Sequence, residues 1–193
     1  MTSIIPPILT CLVGKRLGDP ATSEHYHLRN YAASLIKLVC KRFGESSHTL
    51  RPRLTRACLR HFLDPSKTLG THYGAIIGLA AVGGRESVRV LILPNLKLYE
   101  KVYRPEIDEN TSKRADAEMV VEGIINALGL LEQDETGILI KTERVGISDE
   151  TREALAKKVG DVVADRLWKS GKLGIISAIL GTASGGLPGA YDS

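Results

Sequence analysis

Aromatic side chains make up only 5% of this 193-residue chain, so its core must be built from Leu, Ile, Val and Ala. Such a core suits closely packed helices better than a β-sandwich, which leans on aromatic and β-branched residues. Cysteine is equally scarce. Cys11, Cys40 and Cys58 are odd in number, far apart and without paired spacing. That argues against a disulfide framework or a zinc site and for a reducing compartment, where thiols on apolar helix faces act as small hydrophobes. No apolar run is long enough to cross a bilayer. The opening Met-Thr-Ser-Ile-Ile-Pro-Pro lacks the basic start and continuous apolar stretch of a signal peptide. The expectation is a soluble, intracellular protein with no membrane partner. Charge of one sign is not in large excess either: a net +4 beside 43% hydrophobic content excludes a disordered chain.

What charge there is lies unevenly. Residues 1–105 carry 16 Lys and Arg against 6 Asp and Glu, while residues 106–193 carry 10 against 16. A basic front and an acidic back give a dipole that would orient the molecule among partners, or serve solubility alone.

Hydrophobic spacing at three- and four-residue steps recurs along the chain and predicts about seven amphipathic helices. The first spans about 3–16, with Ile5, Ile8, Leu9, Leu12 and Val13 on one face and Pro6 and Pro7 tolerated at its start. The second buries Leu28, Ala32, Leu35, Ile36, Val39, Cys40 and Phe43, with Arg29 and Lys37 off the stripe, and ends at Gly44. A third runs from about Thr49 to Leu63, stopped by Asp64-Pro65. The fourth, Thr71 to Val82, is apolar on most sides, and Gly74 and Gly78 leave one stripe almost without bulk. Two glycines on one face, each unfavourable by roughly 1 kcal/mol against alanine, predict that another backbone packs there, with Tyr73 beside them. After Gly83-Gly84 a helix resumes from Glu86 to Leu98, kinked at Pro94. Residues 104–113 read as a polar loop, and about 112–131 as the next helix. Residues 132–147 are ambiguous, with an extended piece possible. A final helix starts at Ser148 and buries Leu155, Val159, Val162, Val163 and Leu167. The fold class expected is all-α: an α-solenoid of antiparallel helix pairs over 1–172, followed by a Gly/Ser-rich tail over 173–193.

Particular strings sharpen this. His25-Tyr-His-Leu-Arg-Asn-Tyr-Ala-Ala-Ser-Leu, then Tyr73-Gly-Ala-Ile-Ile-Gly-Leu-Ala-Ala-Val-Gly, then Leu91-Ile-Leu-Pro-Asn-Leu resemble, in order and spacing, the C-terminal HEAT-repeat domain of TBP-associated factor subunit six. The likeness spans roughly 3–103 and fades thereafter. Leu69 stands where the family usually has tryptophan, and His72 where it usually has arginine; both bear on local contacts. The resemblance implies a nuclear, non-catalytic scaffold of the general transcription factor TFIID or, in many fungi, of the SAGA coactivator, with a fungal member implied here. It also implies that other subunits are partners, that a second copy is a possible one, and that the chain is a domain of a longer protein whose histone fold lies outside it.

Candidate sites are few. Arg51, Arg53, Arg56 and Arg60 crowd the third helix, the last three sharing a face. That face is either solvated, a docking patch for an acidic protein, or a phosphate contact to DNA, since neutralised phosphates release counterions. No aromatic interleaving favours single-strand binding. His25 and His27 diverge on a helix and have no further ligand at metal spacing. Gly78–Arg85 lacks the Lys-Ser/Thr of a phosphate loop and follows a helix. No strand–turn–helix elbow surrounds any serine. No cofactor, metal or catalytic residue is expected. Tyr73, Gly74, Gly78 and Pro94 are assigned to close packing.

Overall fold

The computed structural model describes residues 4–17, 24–109, 112–133 and 148–181. Among these there is no β-strand, and the helices are α1 (Ile5–Val13), α2 (Glu24–Phe43), α3 (Leu50–Leu63), α4 (Leu69–Ser87), α5 (Leu96–Asp108), α6 (Arg114–Leu128), α7 (Asp149–Val159), α8 (Asp161–Lys169) and α9 (Leu173–Gly181). The even-numbered helices form a ladder, α4 packing on α2, α6 on α4 and α8 on α6. Each odd helix from α1 to α7 leans on the even helix that follows it. This neighbour-to-neighbour stacking is how helix pairs that cannot bury an apolar face alone share one continuous core. Leu12, Ile36, Leu54, Phe62, Ile76, Leu79, Ile124, Leu128, Val159 and Val163 are fully or almost fully buried along it. Each such aliphatic side chain contributes about 1.5–3 kcal/mol against leaving it exposed.

Local chemistry sets several boundaries. Thr68 caps α4 by accepting from the Thr71 amide at 3.3 Å, and Ser148 caps α7 through the Thr151 amide at 3.2 Å. Gly84, at φ 54 and ψ −140, bends the end of α4 in a conformation that L side chains rarely adopt. A π-helical turn over Val88–Ile92 and a 3₁₀ turn over Leu93–Asn95 follow, so the expected kink at Pro94 is a change of helix type. Asn95 Nδ2 donates to the Leu91 carbonyl at 2.8 Å beside the change of helix type. Pro94 itself is exposed, which corrects its assignment to close packing: its part is in backbone geometry.

Four other expectations are corrected. Residues 104–108 are not loop but the last turns of α5, with Pro105 inside. Arg104 holds that end, pairing with Asp108 at 3.2 Å and with Asp161 of α8 at 2.9 Å. The final predicted helix is two, divided at Gly160 with φ 87. The tail does not begin at residue 173: α9 buries Ile175, Ile176, Ala178 and Ile179 against α7, α8 and the turn after α6. Its glycine-flanked apolar run forms one more packed helix; residues 182–193 lie outside the described residues, as does most of the ambiguous 132–147 stretch. On α2 the buried face is Tyr26, Arg29, Ala32, Ala33, Ile36 and Cys40, so Arg29 is in and Leu28 is out.

Candidate functional site

Arg29 explains that rotation. Only 2% of it is exposed. Its guanidinium donates through Nη1 to the Leu12 carbonyl at 2.6 Å and through Nη2 to the Gly14 carbonyl at 2.9 Å. A helix C-terminus leaves carbonyls without intrahelical partners and carries partial negative charge, so a buried cation there satisfies both. Burial pulls the guanidinium down to about 10, still charged at neutral pH. Tyr26 from the same face donates to Asp116 of α6, and Tyr73 donates to Asn30 Oδ1 at 2.8 Å. The front of the solenoid is thus tied to its middle through polar bonds as well as apolar contact.

The glycine stripe of α4 faces this latch. A Cβ placed on Gly74 would lie 1.8 Å from the Leu12 carbonyl oxygen, and one on Gly78 would lie 2.6 Å from Leu12 Cδ2 and 2.8 Å from Cys58 Sγ. Tyr73, 4% exposed, packs edge-on against Tyr26 and covers Gly123 of α6. The bare stripe lets the last turn of α1 come down onto the backbone of α4.

Seated there, α1 leaves a groove between itself and α3. Its volume is about 470 Å³, and its apolar walls come from Ile5 and Leu9 of α1, Val39 and Phe43 of α2, and Leu54 and Ala57 of α3. Arg53, Arg56 and Arg60 border it, and no acidic side chain does. The structure therefore separates the four arginines that the sequence grouped. Arg51 turns away and donates to the Cys40 carbonyl at 3.3 Å and the Val82 carbonyl at 3.4 Å, engaging carbonyls of α2 and α4. Arg53, Arg56 and Arg60 are exposed. Leu28, Tyr31 and Leu38, 40%, 64% and 59% exposed, put further apolar surface on the outer side of α2.

Three further perturbed groups lie in the core. His72 is fully buried beside Tyr99, and burial pushes it down to about 4. Burial also raises Tyr99 and Tyr103. Glu100, 5% exposed, accepts from the Val162 amide at 2.8 Å and so caps the start of α8. His25 is half-buried and within 3.4 Å of Arg29 Nε, while His27 is exposed. Neither Arg29 nor Glu100 stood out in the sequence as a site.

Residues 1–97 match the family described as the TAF6 C-terminal HEAT repeat domain. The chain is 40% identical over 179 residues to the SAGA complex/transcription factor TFIID complex subunit Taf6 of Schizosaccharomyces pombe, covering 92% of this chain and 38% of that protein. It is 44% identical over 130 residues to transcription initiation factor TFIID subunit 6b of Arabidopsis thaliana, covering 65% and 24%. To TFIID subunit 6 of Drosophila melanogaster it is 33% identical over 117 residues, covering 58% and 19%. The chain thus spans two fifths or less of the length of these relatives.

Proposed function

Because the chain belongs to the family of TAF6 C-terminal HEAT repeat domains, we propose that it is a non-catalytic scaffold within a TFIID- or SAGA-type complex, holding subunits together in the nucleus in support of RNA polymerase II initiation. The observation that carries this is how apolar and charged groups are distributed. The perturbed groups His72, Tyr99 and Tyr103 are enclosed in the core, whereas the concavity that opens between α1 and α3 is apolar and bordered by cations. Active sites gather titratable groups in clefts; docking sites present apolar concavities with charged rims. Other subunits of the complex are the partners, and a second copy of the chain is a further one.

A DNA contact through the basic face is the competing possibility. Arg51 is engaged with carbonyls, and the other three arginines border apolar walls, which phosphates do not reward. Random duplex titrated at rising salt addresses it: a phosphate binder loses affinity steeply, and loses more when Arg53, Arg56 and Arg60 become alanine.

Cross-linking mass spectrometry of the intact complex tests the scaffold. Cross-links from several of these helices to other subunits are expected, as is loss of subunits when the domain is deleted. A complex of unchanged composition without the domain, and a domain cross-linked only to itself, would refute it.

A further inference from the structure

We propose that the groove between α1 and α3 seats an acidic amphipathic helix of a partner subunit. This rests on the scaffold function and names the chemistry of one docking event. The walls offer Leu9, Val39, Phe43 and Leu54, and Ile4 at the mouth is 61% exposed. The groove's volume of about 470 Å³ falls in the range of sites that bury a sizeable apolar group.

The rim sets the sign. Arg53, Arg56 and Arg60 are its charged side chains, and none has a carboxylate or other hydrogen-bond partner among the described residues. A partner must therefore bring the negative charge. The three arginines climb α3 at three- and four-residue steps, spanning about 10 Å at 1.5 Å per residue. Carboxylates repeating at the same steps on a facing helix would meet them in register, with that helix's apolar stripe turned into the groove. Nucleic acid fits less well, because the floor between the cations is apolar.

Fluorescence anisotropy with two synthetic probes tests the proposal on the whole chain. One probe is a labelled amphipathic helix with a Leu/Phe stripe flanked by Glu; the other carries Lys in place of every Glu. Each exposed ion pair contributes modestly, so the three together should favour the Glu peptide by about tenfold or more. The triple variant Arg53→Glu, Arg56→Glu, Arg60→Glu should reverse that preference. Ala57→Trp, which fills the groove, should weaken the Glu peptide by about tenfold at unchanged melting temperature. Equal binding of both peptides, no binding at roughly 100 μM, or indifference to both variants would overturn the proposal. So would displacement of the peptide by random duplex DNA. A wild-type dimer that Ala57→Trp renders monomeric would assign the groove to a second copy and also overturn it. In the intact complex, cross-links on other faces with none at the groove would end this inference and leave the scaffold standing; absence of any cross-link would end the scaffold.

Discussion

Substituting alanine for Gly74 places one methyl group against the carbonyl of Leu12, and its consequences can be worked through atom by atom. The new Cβ would stand 1.8 Å from that oxygen, 2.8 Å from its carbon and 3.3 Å from Arg29 Nη1. An ordinary heavy-atom contact needs about 3.5 Å, so α1 must retreat by roughly 1.5 Å. Backbone cannot swing aside as a side-chain tip can. Retreat stretches the Arg29 hydrogen bonds to Leu12 and Gly14, now 2.6 and 2.9 Å. Overpacking costs about 1–3 kcal/mol, and weakening bonds to a buried charged group adds about 1.5–3 kcal/mol. Against this, alanine in a helix interior returns about 1 kcal/mol. The net expectation is a loss of about 3 kcal/mol, read as a lower denaturation midpoint at constant slope in urea. Gly78→Ala is the comparison, because its Cβ would meet only side-chain atoms of Leu12 and Cys58; about 1 kcal/mol is expected there. If Gly74→Ala is within 0.5 kcal/mol of wild type, roughly the scatter of neutral surface changes, close approach of α1 to α4 is refuted. A Gly74→Ala effect that adds fully to that of Arg29→Met would remove the coupling between stripe and latch.

Burial depresses His72 to about 4 in the folded chain from 6.5, so the native state binds fewer protons, and stability complete above pH 6.5 falls as pH drops toward 4. At pH 5 the loss is about 2 kcal/mol, and it should be missing from His72→Gln measured over the same range; identical pH curves would refute it. Gly160→Ala should cost about 1–3 kcal/mol, since φ is 87 and the new Cβ would lie 2.8 Å from the Glu100 carboxyl carbon; thermal melting that shows no change would contradict that geometry. Burial pushes the Cys58 thiol up to about 12, so in native protein it should resist alkylation at pH 8 while half-buried Cys11 reacts first, as peptide mapping would show. Equal labelling of the two would count against a closed core.

Periodicity placed the helices because most of them bury one face, and Ile36, Leu54, Ile124 and Val163 are where a 3.6-residue repeat puts them, while α4 is buried on most sides. It misplaced α2 by one residue, because hydrophobic patterning treats arginine as an outward residue. The signal was present: Tyr26, Arg29, Ala33, Ile36 and Cys40 follow one another at three- and four-residue steps, and Arg29 occupies its row. Nothing local could show that the carbonyls awaiting it lie 15 and 17 residues upstream. The split at Gly160 and the continuation of α5 through Pro105 have the same origin, since Glu100 and Arg104 stabilise both across elements. The shared face of Arg53, Arg56 and Arg60 was readable from spacing; the apolar floor was not, because it requires α1 to sit away from α3.

That separation links stability to docking. The α4 stripe of Gly70, Gly74 and Gly78 lies under Arg29, Leu12 and Cys58, so α1 is drawn toward α4 by the contacts that hold the front of the solenoid together. Groove width is then set by the Gly74 approach and the Arg29 latch, neither of which touches an occupant. Gly74→Ala should therefore weaken the Glu peptide several-fold at a temperature where the variant is still folded, because α1 and its Leu9 shift relative to Leu54 across the groove. Gly160→Ala, with a comparable expected stability cost but located at the α7–α8 junction, should leave that affinity unchanged. Equal losses in both variants would mean that peptide binding follows global stability, and the seat of α1 on the glycine stripe would then have no separate hold on the groove.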